Sequence, residues 1–330
     1  MREVRIPKKS GGHRVIVVPS ARRKRQCRDL IAPWQQVVRA VCDLEVVHGF
    51  APLRSPVTNA LKHVGYEYTL SFDLADFFDH VNVSSVEKGI KAIRHNSKST
   101  VEVPPLHPLF HYSIARQGLP TSPILANVAA APMDKDIQQK FCTYTTCPMP
   151  AAPHKFCKWP KVYTRYADDL TFSTNDIDCV YALMKELPEL VAKHGFALNT
   201  KKTRLQRASA GRRIITGVAV DDTGIYPTRA TKRRLRAAIH NAKTGKVKHF
   251  PRRQWTRYVK TCKYRTQTPM PKQAWLHRWL HDRVRGLEEW MQLKPPNTGR
   301  RSLARIAESS LFEPQDAMAE VAARMDCCNP

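Results

Sequence analysis

Acidic residues are scarce in this chain: 28 Asp and Glu stand against 55 Lys and Arg, a formal charge of +27 with a pI near 10.0. Such an excess repels itself in a compact fold unless a polyanion relieves it. Nucleic acid is the natural partner, since each neutralised phosphate releases counterions and tightens binding at low salt. Charge alone also fits a histone-like binder without chemistry. Long apolar runs are missing as well. No stretch approaches the ~18 residues of a membrane-spanning helix, and Val15 to Val18 is too short a run for a secretory leader. The nine cysteines, an odd number, form no disulfide framework, which argues against a small secreted scaffold and for a soluble chain in a reducing, intracellular compartment. Internal repeats and low-complexity tracts are absent. What is present suffices for a core: 330 residues, 42 % of them apolar, enough for one multi-lobed unit or a few small domains.

The chain opens with two extended pieces around Gly11-Gly12, which predicts a β-hairpin. Residues 29 to 47 read as a helix with Leu30, Trp34, Val38 and Cys42 on one face. From Tyr66 the period changes to two. Tyr66, Tyr68, Leu70 and Phe72 alternate with Glu67, Thr69, Ser71 and Asp73, a half-buried strand ending on Asp73. Ser84-Ser85-Val86-Glu87 reads as a capping box opening a helix, and a further helix is expected from Ile124. Val162, Thr164 and Tyr166 alternate with Tyr163 and Arg165, and the alternation resumes at Leu170 to Ser173. That predicts a second hairpin with a tight acidic turn. Ile177, Val180, Leu183, Leu187 and Leu190 mark a helix capped by Gly195, followed by short strands near 196–199 and 214–220. After Pro227 the pattern is helical and basic. Arg229, Arg233 and Arg236 share a face, and Leu276, Trp279, Leu280, Val284, Leu287 and Met291 form an apolar stripe. The last 30 residues read as a final helix or a loose tail. The order predicts an α+β architecture, an antiparallel sheet with helices on one face, followed by an all-α module.

Asp73 at a strand end and Asp168-Asp169 at a hairpin tip form the candidate chemical centre. Carboxylates brought together repel unless cations lie between them, which points to Mg²⁺. Two ions ~4 Å apart would hold the attacking and leaving oxygens of an in-line phosphoryl displacement. An Asp-Asp pair by itself is most often a polar turn, so the surrounding motifs decide.

Those motifs are Asp73-Leu74-Ala75-Asp76-Phe77-Phe78, Gln117-Gly118-Leu119-Pro120-Thr121-Ser122-Pro123, Tyr166-Ala167-Asp168-Asp169 and Leu198-Asn199-Thr200-Lys201-Lys202-Thr203, in that order. Together they resemble the palm of reverse transcriptases. The resemblance implies a right-hand polymerase with fingers, a ferredoxin-like palm and an all-α thumb. The fingers would span 1–65 with 84–112 returning to them, the catalytic palm 66–226, and the basic, RNA-binding thumb 227–330. It also implies that Asp73, Asp168 and Asp169 are catalytic ligands of two Mg²⁺ ions, helped by the Leu74 carbonyl. Phe78 resembles the steric gate that excludes a ribose 2′-hydroxyl, and Gln117 the residue facing the incoming sugar. Lys8 and Arg14 are spaced like the fingertip pair that clasps the dNTP triphosphate. Lys202 is similar to a lysine that protonates leaving pyrophosphate, and a plain surface lysine fits it as well. Asp76 and Asp79 read as supporting residues.

Asn59-Ala60-Leu61-Lys62-His63 resembles the Asn-Ala-x-x-His signature of retron reverse transcriptases, and Ile215-Thr216-Gly217 stands where those enzymes carry Val-Thr-Gly. Over residues 5–245 the chain is similar to that group. The resemblance implies a cytoplasmic bacterial enzyme that primes from a 2′-hydroxyl and copies part of a partner non-coding RNA into msDNA. It further implies a role in antiphage defence, an effector protein encoded nearby and no membrane partner. RNA contacts are implied for Asn59, His63, Ile215, Thr216, Gly217, Arg229, Arg233 and Arg236; a hydrogen-bonded turn accounts for Asn59 and His63 equally. An insertion between Met133 and Lys161 holds Cys142, Cys147, His154 and Cys157, a Cys₃His set that Zn²⁺ can take. Its spacing matches no standard knuckle, and the prolines from Pro148 to Pro153 favour a plain loop. Two other readings stay open. One is a defence-associated reverse transcriptase making unbranched or repetitive cDNA from a non-coding RNA. The other is a non-catalytic RNA-binding scaffold that restrains a toxin, against which the three acids, Phe78 and Gln117 argue.

Overall fold

The computed structural model describes residues 2–8, 11–94, 102–106, 109–141, 162–245, 252–264 and 268–291. They fall into two compact units, Met1–Thr223 and Gly224–Pro330. Cys142, Cys147, His154 and Cys157 lie outside the described residues, as do the last 30.

The first unit begins with the expected hairpin: β1 (Arg2–Pro7) pairs antiparallel with β2 (His13–Val18). The helix expected over 29–47 is the shorter α2 (Ile31–Val41), and a helix the sequence did not announce, α1 (Ala21–Asp29), precedes it and meets it at Leu30. Five of the nine residues of α1 are basic, so it has no apolar period to reveal it. Trp34, Val38 and Cys42 are buried as the spacing predicts. A short helix, α3 (Pro56–Leu61), follows, opened by a reciprocal Ser55–Thr58 cap.

The main sheet comprises β3 (Tyr68–Asp73), β4 (Val162–Tyr166), β5 (Asp169–Thr174) and β6 (Arg204–Arg207). Its order is β4-β5-β3-β6 and every pair is antiparallel. Helices α4 (Val83–Arg94) and α5 (Ser122–Phe141) lie between β3 and β4 in the chain, and α6 (Ile177–Lys193) between β5 and β6. With α5 and α6 as its crossovers, this is the β-α-β-β-α-β plan of a ferredoxin-like layer. Leu70, Phe72, Leu170 and Phe172 of the sheet join Trp34, Leu125, Ile137, Leu183 and Leu187 of the helices in one core. Small side chains let the helices close in. A Cβ on Gly89 of α4 would lie 2.1 Å from the Val128 carbonyl oxygen of α5.

Three local expectations are corrected. The second face of β3 is covered rather than solvated: Thr69 is 0 % exposed and bonds Ser173 Oγ at 2.9 Å and Arg213 Nη1 at 3.3 Å. Its residues are polar because hydroxyl, imidazole and guanidinium partners meet there. The cap of helix α4 lies two residues before the expected one, with Asn82 and Ser85 capping each other through two 2.9 Å bonds. Residues 196–199 contribute a single bridge, Leu198 to Leu74, while 214–220 resolves into β7 (Arg213–Ile215) and β8 (Val218–Val220). Gly195 does cap α6: at φ +81° it lets Phe196 N–H reach the Val191 carbonyl at 3.2 Å.

The second unit contains β9 (Ile225–Pro227), α7 (Arg229–Thr244), α8 (Arg252–Tyr264) and α9 (Lys272–Met291). Thr228 caps α7 and Gly245 ends it at φ +65°. Leu280 of the expected α9 stripe is buried, and so is Trp275, which the stripe omitted. Trp275 packs edge-on against Trp255 of α8 at 5.3 Å. Arg229, Arg233 and Arg236 are exposed. Among the described residues no helix is long and apolar enough to cross a membrane.

Candidate active site

Antiparallel register brings the acids together. In the β3–β5 ladder Asp73 is the direct partner of Asp169. Leu74 N–H donates to the Asp168 carbonyl at 2.9 Å, so the turn Ala167-Asp168 closes onto the end of β3. Burial pushes the Asp168 carboxyl up, and the Asp73 charge adds to that against Lys202 and Arg14. Burial, then the Asp168 and Asp73 charges, lifts Asp169 to about 6. Lys202 answers this negative charge. Its ammonium donates to both Asp73 oxygens, at 2.9 and 2.8 Å. Asn199 N–H binds the Asp73 carbonyl at 2.7 Å and Ala75 N–H the Ala197 carbonyl at 2.7 Å, which fixes the short 3₁₀ turn Thr200–Lys202 that carries the lysine. An all-oxygen carboxylate set suits a hard divalent cation, and the Lys202 contact marks Asp73 as a place where positive charge is stabilised. Among the described residues no three acidic, histidine or cysteine side chains converge into a ready-made ion cage. The residues therefore fit Mg²⁺ by donor type and by field.

The hairpin tip is held from behind by a polar cluster that sequence reasoning missed. Arg165 is 0 % exposed and Asp134 3 %; the guanidinium grips the carboxylate through Nε at 2.9 and 3.0 Å and Nη2 at 2.8 Å. Tyr163 Oη donates to the same carboxylate at 2.7 Å. Arg165 Nη1 reaches Asn127 Oδ1 at 3.1 Å and the Ala167 carbonyl, in the turn itself, at 3.2 Å. Asn127 Nδ2 in turn holds the Gly49 carbonyl at 2.9 Å. Gly49 lies so near the tip that a Cβ there would stand 2.2 Å from Ala167 N. Ala167 sits at φ +57°, uncommon for a residue with a Cβ, and these contacts impose it. One signal was available: Arg165 falls on the face of β4 shared with Tyr163, where a charge needs a buried partner.

The remaining site residues surround this centre. Lys8 reaches Asp76 at 3.4 Å, and Arg116 reaches Asp79 at 2.7 Å, so both of those acids bind basic side chains. The Gln117 carbonyl accepts Val17 N–H at 2.8 Å, and Gly118 at φ +103° lies where a Cβ would meet the Val17 carbonyl oxygen at 2.2 Å. The β1–β2 hairpin is thereby tied to the Gln117 motif. Phe78 is half-buried, with its ring 5.6 Å from Phe77 and 6.3 Å from Phe50.

Asn59 and His63 face inward, both 0 % exposed, and Ile215 is 1 % exposed. His63 bridges Ser173 Oγ at 2.8 Å and Thr164 Oγ1 at 2.7 Å, and burial pushes its pKa down to about 3. Asn59 Nδ2 donates to Thr216 Oγ1 at 3.4 Å, and that hydroxyl donates to the Pro56 carbonyl at 3.3 Å. Thr216 and Gly217, at φ +45° and +82°, form the two-residue turn between β7 and β8. The side chains of Asn59, His63 and Ile215 are thus enclosed, and the two signature motifs fasten α3 to the sheet and to the β7–β8 turn.

Residues 6–249 match the family of reverse transcriptases (RNA-dependent DNA polymerases). The chain belongs to that family. It is similar to the retron Mx65 reverse transcriptase of Myxococcus xanthus, 32 % identical over 253 residues that cover 71 % of this chain and 54 % of the relative. It is also similar to the retron Ec73 reverse transcriptase of Escherichia coli, 29 % identical over 278 residues covering 78 % and 81 %. The chain spans about half the length of the Myxococcus xanthus relatives it matches. Among solved structures it resembles an apo telomerase from Candida tropicalis, with 15 % identity, a TM-score of 0.46, and coverage of 69 % and 54 %. The retron-type resemblance read from the motifs is borne out by the relatives, and with the family comes the expected α+β polymerase class. The β4-β5-β3-β6 sheet is the palm layer of this reverse transcriptase.

Proposed function

We propose that this reverse transcriptase is an RNA-directed DNA polymerase of retron type that copies part of a partner non-coding RNA into msDNA-like cDNA in the bacterial cytoplasm. The observation that carries the proposal is the direct cross-strand pairing of Asp73 with Asp169, with Asp168 in the adjoining turn. The three carboxylates would hold two Mg²⁺ ions, which when bound activate a primer hydroxyl and neutralise charge on departing pyrophosphate. The chain's own residues do the rest. Lys8 and Arg14 clasp the triphosphate, and Phe78 and Gln117 border its sugar. Lys202, more than half exposed on a flexible stem, swings from Asp73 to donate to the leaving oxyanion.

The division into fingers at 1–65 and 84–112, palm at 66–226 and thumb at 227–330 belongs to the same proposal. The exposed arginines of α7 support RNA binding by the thumb, where backbone charge and 2′-hydroxyls dominate recognition. Priming from a 2′-hydroxyl, an effector protein encoded nearby and a role in antiphage defence rest on the resemblance to retron enzymes.

Primer extension on an RNA template with dNTPs and Mg²⁺ tests the polymerase. Asp168→Asn and Asp169→Asn should each lose on the order of a thousandfold in rate, since several kcal/mol of charge stabilisation goes with each carboxylate. Unchanged synthesis ends the proposal. Sequencing the nucleic acid that copurifies tests the retron type: a 2′-5′ branch supports it, and unbranched or repetitive cDNA replaces it with the other defence-associated reading.

A further inference from the structure

Phe50 stands out on three independent grounds. Its backbone is at φ +57°, a left-handed conformation that is a genuine outlier for a bulky side chain and costs on the order of 1–3 kcal/mol unless its surroundings impose it. The residue is 44 % exposed, an apolar surface left open next to Gly49, which abuts the hairpin tip. The Phe50 ring lies 6.3 Å from Phe78 with an interplanar angle of 56°, within the range of a favourable aromatic pair.

The surroundings that impose this conformation are those of the catalytic hairpin. Gly49, the preceding residue, is pressed against Ala167 N and bonded through its carbonyl to Asn127. Phe50 therefore directly follows a residue packed on the turn that carries Asp168. Phe78 also meets Phe77, which is 3 % exposed, at 5.6 Å, and Phe77 rests on Phe196 at 5.5 Å. Phe78 thus has two ring neighbours, one buried in the core and one adjoining the glycine that packs on the acid-bearing turn.

We propose that Phe50 is a positioning residue for sugar selection: it backs Phe78 and sets how far that ring reaches toward the 2′ position of an incoming nucleotide. This deepens the polymerase reading above and rests on it. A gate ring free on one side could rotate away from a 2′-hydroxyl. With both ring neighbours in place, it meets the hydroxyl at a set distance from the acids.

The test is single-nucleotide insertion, measuring kcat/KM for a dNTP and the matching rNTP. Wild type, Phe50→Ala, Phe50→Gly, Phe50→Leu, Phe78→Ala and the Phe50→Ala/Phe78→Ala double variant are compared. Phe50→Ala should narrow the preference for dNTP by about three- to tenfold, the loss expected for one aromatic pair, and Phe50→Leu should restore part of it. Phe50→Gly relieves the backbone, so its melting temperature should hold while its discrimination falls. The double variant should be no less selective than Phe78→Ala alone. Unchanged discrimination in Phe50→Ala, or an effect that adds fully to that of Phe78→Ala, overturns the proposal. A wild type that inserts no nucleotide overturns the polymerase reading instead, and this inference with it.

Discussion

Arg165 offers a prediction in which stability and activity separate. The guanidinium and the Asp134 carboxylate are both buried, share three nitrogen–oxygen contacts of 3.0 Å or less, and leave little room for water. Removing one partner strands a charge in the core, which costs about 3–5 kcal/mol, whereas replacing both with apolar residues of similar volume is often neutral or stabilising. Arg165→Met and Asp134→Leu should each lower stability by about that amount. For a unit of this size, where 1 kcal/mol moves Tm by about 2–4 °C, the drop is about 6–20 °C. The double variant should recover most of the loss. Its polymerase activity should not recover, because the bonds from Arg165 to Asn127 and to the Ala167 carbonyl are still missing and the tip carrying Asp168 is no longer held. Urea denaturation followed by circular dichroism gives the stability cycle, and primer extension gives activity on the same samples. A double variant no more stable than either single one refutes the stranded-charge argument. One that is both stable and fully active refutes the role assigned to Arg165 at the turn.

Gly49→Ala places a Cβ 2.2 Å from Ala167 N and 2.9 Å from the Tyr166 carbonyl carbon. Overpacking of this kind costs about 1–3 kcal/mol, and primer extension should fall further than Tm does, since the displaced atoms belong to the hairpin tip. His63 gives a pH test. Its folded pKa is near 3 against an unfolded value of about 6.5, so the fold keeps full stability above pH 6.5 and loses it as pH falls toward 3. Between pH 7.5 and pH 5 the loss from this group should be about 2 kcal/mol by urea denaturation, and His63→Asn should remove that part of the slope. Replacing Arg229, Arg233 and Arg236 with Ala should weaken RNA binding uniformly across sequences. Each substitution that removes a phosphate contact should lower the slope of log K against log salt by about 0.7–0.9, read from binding titrations at several salt concentrations.

The three acids were legible because two strands announce themselves by strict alternation and a two-residue turn leaves little freedom in pairing them. Asp73 beside Asp169 follows once β3 and β5 are neighbours. The supports of that pairing were not legible, because they join residues far apart in the chain. Gly49, Asn127, Asp134 and Arg165 come from a loop, a helix and a strand, and each is unremarked locally. Charge concealed α1, whose basic residues carry no apolar period. Polarity misled at Thr69, where alternation reads as solvent but the hydroxyl is buried against Ser173. The Asn-Ala-x-x-His and Ile-Thr-Gly motifs were legible as signatures, yet their meaning waits on the fold. Only there does Asn59 meet Thr216, and only there does the turn conformation account for Gly217.

Both clamps grip the same hairpin from opposite faces. On the helix side Arg165 ties β4 and its turn to α5; on the other side His63 bridges Thr164 of β4 and Ser173 of β5. Neither is an economical way to gain stability, since buried ions and imidazoles lose hydration that apolar side chains would not. What they provide is resistance to the repulsion that register creates. Burial first, then the charges of Asp168 and Asp73, raises Asp169, and a loosely held tip would relieve that repulsion by splaying apart. Held from both faces it cannot, so the three carboxylates stay together, the arrangement on which the proposed metal site depends. The proposed metal site needs a polar, rigid support more than it needs a stable one, and the enclosed Arg165 and His63 supply it.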